Sequence, residues 1–254
     1  MKKFFLRGFV KDITIAFLIA AIIRSFFIEL YYVPSESLMP TLLKKEYIFA
    51  TKYDYGYSKY SFWPFNLPLF KGRIMNKKPK RGDIIIFRPP NDMKTRYVKR
   101  LIGLPKDKIQ LLNGNLYIND KILLREISGT FTNDRGMLFN RYIETLPNQL
   151  KHYTIELSNP HYLLKSTRTT EPFYVPEGHY FFLGDNRDLS KDSRFELGFV
   201  PEENFIAKAR FIFFSTEENL ILENFDLLKQ ISQIWYWISS IRFNRLFNSV
   251  YSIR

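Results

Sequence analysis

Two hydroxyls stand close together in Pro34-Ser35-Glu36-Ser37-Leu38-Met39-Pro40-Thr41, with prolines on either side. Pro34 and Pro40 keep the residues before them out of helical backbone, so this stretch is a rigid, extended or turning segment that can present a hydroxyl at a fixed angle. A serine hydroxyl is a nucleophile only when a neighbouring base takes its proton. The histidines, His152, His161 and His179, show neither metal-ligand spacing nor a matching carboxylate pair, and nothing in their placement points to a Ser-His-Asp triad. Cysteine is absent, which excludes cysteine-protease chemistry, disulfides and thiolate metal sites together. A lysine can act as the base once burial brings its pKa down from about 10.4.

Lys99 stands in the right kind of place. The run Tyr97-Val98-Lys99-Arg100-Leu101-Ile102-Gly103-Leu104-Pro105 is an apolar strand interrupted by two cations. Alternation puts Lys99 on one face with Tyr97 and Leu101, and Arg100 on the other with Val98 and Ile102. Taken alone, Lys99 reads as an ordinary edge lysine. A third stretch, Gly184-Asp185-Asn186-Arg187-Asp188-Leu189-Ser190-Lys191-Asp192-Ser193-Arg194, would by itself be a polar surface turn.

Together and in this order, with Gly82-Asp83-Ile84-Ile85-Ile86-Phe87 between the first two, these stretches resemble the motifs of bacterial signal peptidase I. That family is the Ser-Lys membrane endopeptidases that remove signal peptides. The resemblance runs from about Pro34 to Val200. It implies that Ser37 is the nucleophile and Lys99 the general base. It implies that the Ser35 hydroxyl, with the Ser37 backbone N–H, forms the oxyanion hole, and that Ser190 orients the lysine amine. Asp192 and Arg194 match a structural ion pair beneath the site. No cofactor and no metal are implied. The substrates would be secretory preproteins with small residues, typically Ala, one and three places before the cut. Three positions depart from the family pattern: Leu38 replaces a usual Met, Leu189 a commonly polar residue, and Phe195-Glu196-Leu197-Gly198 is one residue longer.

The elements that must position these groups begin with a basic stretch, 1–12, carrying Lys2, Lys3, Arg7 and Lys11. An apolar run, Ile13 to Ile23, follows. A cleavable signal peptide is the rival reading, but Arg24, Phe26, Phe27 and Ile28 stand where small residues would be needed. The expectation is an uncleaved transmembrane anchor over 13–33, slightly short, with the basic end cytoplasmic and the rest periplasmic at the bacterial inner membrane. Ser37 would then lie near the bilayer surface. Strands are expected near 42–52, 83–88, 95–102, 179–183 and 205–214, with an Asn113-Gly114 hairpin between 109–112 and 116–118. The fold expected is mainly β: a transmembrane helix, then an antiparallel catalytic β domain over 34–108 and 173–225. By resemblance, 109–172 forms a smaller inserted β domain. Residues 53–75 are rich in Tyr, Phe and Trp, and read either as a loop packed on the core or as one resting in the membrane interface. Residues 226–254 read as an amphipathic basic C-terminal helix, packed on the β domain or lying on the membrane.

The net charge of +13 raises nucleic acid as a partner. No nucleic-acid-binding motif accompanies it, and membrane lipids account for the charge of an anchored protein equally well. A soluble self-cleaving Ser-Lys repressor shares the chemistry, but the apolar N-terminus so close to Ser37 argues against it. A non-enzymatic anchored relative would not need the full set of catalytic residue types.

Overall fold

The computed structural model describes residues 2–62, 71–159, 168–217 and 238–253. Helix α1 spans Lys2–Phe26. Fourteen strands follow: β1 Ile28–Tyr32, β2 Glu46–Thr51, β3 Ile84–Phe87, β4 Tyr97–Gly103, β5 Lys108–Leu112, β6 Asn115–Ile118, β7 Lys121–Ile122, β8 Leu124–Thr132, β9 Leu138–Thr145, β10 Lys151–Leu157, β11 Phe173–Tyr174, β12 His179–Leu183, β13 Val200–Pro201 and β14 Phe205–Ser215. The molecule is thus mainly β, as its alternating apolar runs require.

Two of the stretches singled out above, 84–87 and 97–103, lie in a seven-stranded sheet in the order β1-β2-β14-β3-β4-β12-β13, and 34–41 and 184–194 are turns that adjoin it. Every paired neighbour in it is antiparallel. β3 is buried on both faces, and all four of its side chains are excluded from solvent. Burial of each such side chain stabilises the fold by ~1.5–3 kcal/mol. Ile84 and Ile86 pack with Leu38, Leu42, Val98 and Ile206 on one face. Ile85 and Phe87 pack with Leu101, Phe182 and Phe205 on the other. β4 alternates as its sequence requires, with one difference. Its outward positions are buried too, because Ile102 enters a further core formed with Ile109, Leu111 and Phe181.

A four-stranded sheet, β11-β5-β6-β7, and a three-stranded sheet, β10-β9-β8, complete the structure. The β5–β6 hairpin turns at Asn113 and Gly114, whose φ values of 50° and 83° are the left-handed conformations such a turn needs. Residues 124–157, too polar to read from sequence, form β8 to β10. The faces of β8 are mostly half-exposed or exposed, so it lacks the apolar alternation that marks a strand.

Several expectations are corrected. The helix starts earlier and ends sooner than 13–33: residues 28–32 pair with β2 instead, because Glu29, Tyr31 and Val33 are buried in the β domain. Asp12 and Arg24 bound the apolar run, and no helix among the described residues is long and apolar enough to cross a membrane. Of the expected C-terminal helix, 226–237 lies outside the described residues. Residues 241–253 are not a helix: Ile241 and Ser249 form bridges to Thr216 and Phe211, with a 3-10 turn at Phe243–Arg245 between them. Arg245 fixes this segment through Glu46 at 2.8 Å and the Thr41 carbonyl at 2.9 Å. Within the aromatic stretch, 63–70 lies outside the described residues, whereas Tyr55, Tyr60 and Phe62 are buried in the protein.

Candidate active site

Ser37 sits in a turn that follows β1. Met39 N–H bonds the Glu36 carbonyl at 3.1 Å, and Leu42 N–H bonds the Leu38 carbonyl at 2.9 Å. Apolar residues fix the turn from both sides. Leu38 and Leu42 enter the core with Ile84 and Val98, while Met39 packs with Phe139 and Ile155. The segment after β12 closes over it: Asn186 donates its N–H to the Ser37 carbonyl at 3.1 Å and its side-chain amide to the Glu36 carbonyl at 3.2 Å.

The Nζ of Lys99 is hydrogen-bonded to Ser37 Oγ. Both residues are buried, each 4% exposed. Burial pushes the Lys99 pKa down to about 8, against the opposing pull of the Asp192 and Asp185 carboxylates. Desolvation penalises the ammonium more than these two anions stabilise it. Ser35 Oγ lies 3.2 Å from Ser37 Oγ. The Ser37 N–H meets no acceptor among the described residues. The Ser37 hydroxyl thus has a lysine amine on one side and the Ser35 hydroxyl on the other.

Beneath the dyad, Arg194 holds Asp192 with two hydrogen bonds of 2.9 Å, and neither side chain is exposed. Burial alone would raise the Asp192 pKa, but the Arg194 guanidinium and the Gly184 N–H at 3.0 Å hold it below the usual carboxylate value. Asp192 therefore remains an anion near Lys99. Ser190 reaches the site through Gly184. A Cβ on Gly184 would lie 2.3 Å from Ser190 Oγ and 2.4 Å from the Ser37 carbonyl oxygen. Only glycine lets these two serines approach. The expected bond from Ser190 to the lysine is not formed: Ser190 Oγ is buried and has no hydrogen-bond partner among the described residues.

The polar stretch at 184–194 is buried apart from Leu189 and Lys191, rather than a surface turn. Arg100, on the strand face opposite Lys99, bonds Asp185 at 2.8 and 2.7 Å, and Thr41 adds 2.6 Å to the same carboxylate. Arg187 is likewise paired with Glu144. These pairs lock the 184–194 segment to β4, β9 and the Ser37 turn. Sequence reasoning missed Arg100 and Asp185 as partners, although a cation between two apolar faces is itself the signal for a buried counter-charge.

The histidines take no part. His152 is buried, which keeps its pKa well below the ordinary value, and it lines a separate cavity of about 260 Å³ that includes neither Ser37 nor Lys99. His179 Nδ1 lies 3.0 Å from the Glu177 carbonyl, and His161 lies outside the described residues. Among the described residues no cluster could hold a metal ion.

Comparison with known proteins places these contacts in context. The family model described as "Signal peptidase, peptidase S26" matches residues 6–214. A signal peptidase I of Rickettsia akari is 50% identical over 237 residues, covering 92% of this chain and 89% of its own. That of Rickettsia typhi is 48% identical over 243 residues, covering 94% and 92%. A crystal structure of a signal peptidase I from Enterococcus faecalis is similar at 31% identity, covering 52% of this chain and 97% of that one, with a TM-score of 0.31.

Proposed function

The chain belongs to the signal peptidase, peptidase S26, family of hydrolases, and from that premise we propose that it cleaves signal peptides from secretory preproteins with a Ser37–Lys99 dyad. One contact supports this reading above the others: a fully buried lysine amine hydrogen-bonded to a serine hydroxyl. Few structural roles are served by burying a lysine against a hydroxyl, whereas a base needs that lowered pKa.

In this reaction neutral Lys99 takes the Ser37 proton as Oγ attacks the scissile carbonyl. The carbonyl oxygen becomes an oxyanion facing the Ser37 N–H and the Ser35 hydroxyl. Each such donor contributes a rate factor of about 100 to 1,000. The intermediate collapses, Lys99 passes its proton to the leaving amine, and an ester remains on Ser37. Lys99 then takes a proton from water as its oxygen attacks the ester carbonyl; the bond to Ser37 Oγ breaks, Lys99 returns the proton to that oxygen, and the new C-terminus is released. Asp192, paired with Arg194, keeps the lysine pKa from falling further; a role for Ser190 in orienting the amine would need its hydroxyl, which has no partner among the described residues, to turn to Lys99 when substrate binds.

Helix α1 serves as the membrane anchor in this account, although its apolar run between Asp12 and Arg24 is by itself short of a span, so these flanking charges would have to reach the headgroups. Its side chains at Ile13, Ile15, Phe17, Leu18, Ile19, Ile22 and Ile23 are all exposed and occupy every side of the helix. The basic residues before them place that end in the cytoplasm and the β domain outside, by the bias of cations toward the cytoplasmic face. The lipid bilayer is then the partner that covers α1, and no nucleic acid is required.

The test is cleavage of a preprotein by the detergent-solubilised full chain. Cutting after a small residue, with near-complete loss in Ser37→Ala and in Lys99→Ala at unchanged melting temperature, supports the dyad. Normal cutting by Lys99→Ala would remove the base from this account.

A further inference from the structure

Two cavities adjoin each other beside Ser37, sharing Pro34 and Ser35. The smaller, about 230 Å³, is lined by Tyr31, Ser37, Arg96, Val98 and Lys99 among others. The larger, about 900 Å³, is walled by Glu36, Met137, Ser190 and Phe195 among others. Pro34, Ser35, Leu189 and Lys191 border both, so they form the ridge between them. Resting on the signal-peptide reading above, we propose that the larger cleft holds the first residues after the cut and favours apolar side chains there.

A peptide whose scissile carbonyl rests on Ser37, with its oxygen toward Ser35, must pass over that ridge from one cavity into the other. Two observations say which part lies where. First, the expected small residue before the cut fits the 230 Å³ cavity beside the dyad, which leaves the roomier cleft for the released amine side. Second, the smaller cavity opens toward the helix. Its Arg96 pairs with Glu29, which lies 3.9 Å from Arg24 in the last turn of α1. A substrate's own apolar segment, lying beside α1, arrives on that side. The larger cleft draws no wall from α1 or β1, and it lies on the side by which the mature chain departs.

The chemistry of the larger cleft then sets the preference. Leu189 and Phe195 are 36% and 39% exposed, so large apolar side chains stand uncovered beside the site. The Phe195 ring is prearranged: the Arg194 guanidinium, itself pinned by Asp192, lies 5.3 Å from its centroid, and Phe195 N–H bonds the Asp192 carbonyl at 2.9 Å. The charges deeper in the cleft are already engaged. Glu36 pairs with Arg135 at 2.6 Å, and Asp188 with Arg168 at 2.6 Å. Lys44, Lys191 and Glu196 complete the lining. Leu189, Phe195 and Met137 supply the apolar part of this lining, beside the charges of Lys44, Lys191 and Glu196, and it is this part that a large apolar side chain would cover.

The experiment uses the full chain in detergent and matched preproteins. These share one signal sequence and one residue before the cut, and carry either Leu-Phe or Gly-Gly directly after it. Wild type should show a kcat/KM ratio of about tenfold in favour of Leu-Phe, the scale of discrimination in an apolar pocket. Phe195 lines the larger cleft and not the smaller cavity, so Phe195→Ser should bring that ratio near one, while discrimination between Ala and Val before the cut stays as in wild type. Met137→Ser, from a separate segment, should lower the ratio in the same sense and covers the case where Phe195→Ser misfolds. A wild-type ratio of one, or a change confined to discrimination before the cut, overturns the inference alone. No cutting of any preprotein by wild type overturns the peptidase reading and the inference with it.

Discussion

The pKa of Lys99 makes the activity of this protein a function of pH in a way that can be worked out beforehand. At the ordinary lysine value of 10.5, about one molecule in 3,000 would hold a neutral amine at pH 7. With the pKa lowered to about 8 by burial, that fraction becomes about one in eleven, a gain of roughly 300-fold. Since only the neutral amine takes the Ser37 proton, kcat/KM should rise about tenfold per pH unit below pH 7, reach half its plateau near pH 8, and flatten above pH 9. The assay is initial-rate cleavage of a preprotein from pH 6 to 10 in one detergent and at one ionic strength, with the melting temperature followed in parallel. Asp192 is the larger of the two anions that hold the pKa up. Asp192→Asn should therefore move the rising limb to lower pH, not higher. A flat profile between pH 6 and 9 would refute the reasoning, as would a limb near pH 10 or later, or a shift in the opposite sense in Asp192→Asn.

The same burial has a thermodynamic consequence. The folded pKa of Lys99 lies below its unfolded value, so wild-type stability should rise as pH climbs from about 8 to 10.5. At pH 7 Lys99→Met should gain up to roughly 3 kcal/mol in urea unfolding, an advantage that fades toward pH 10.5. Gly184→Ala places a methyl against Ser190 and the Ser37 carbonyl. It should cost about 1–3 kcal/mol by overpacking and lower kcat about 100-fold by displacing the nucleophile. Asp185→Asn leaves the buried Arg100 without its anion, and should cost about 3–5 kcal/mol in the same unfolding assay.

The candidate site was legible through the joint resemblance of three short stretches to one family. Taken singly, Ser37 reads as a loop serine between prolines, Lys99 as an edge lysine and 184–194 as a polar surface turn. The β5–β6 hairpin was plain by itself, since Asn113-Gly114 carries its own turn geometry. What stayed hidden depends on distant partners. Arg100 and Asp185 each read as polar residues until the fold brings them together. β8 and β9 were hidden because their largely half-exposed or exposed faces carry polar side chains, and β10 because several of the residues it buries, His152, Thr154 and Glu156, are polar. At the C-terminus, helical spacing of apolar residues suggested a helix through 254. Contacts with β14 draw 241–253 into bridges and turns instead.

The central claim is that Ser37 carries the acyl group. Acid-quenching a reaction of the full chain with preprotein, followed by digestion and mass spectrometry, tests it directly. The account predicts a mass increment equal to the acylating signal peptide on the fragment containing Ser37, absent in Ser37→Ala. Turnover by Ser37→Ala, or an adduct on a fragment lacking Ser37, would contradict it.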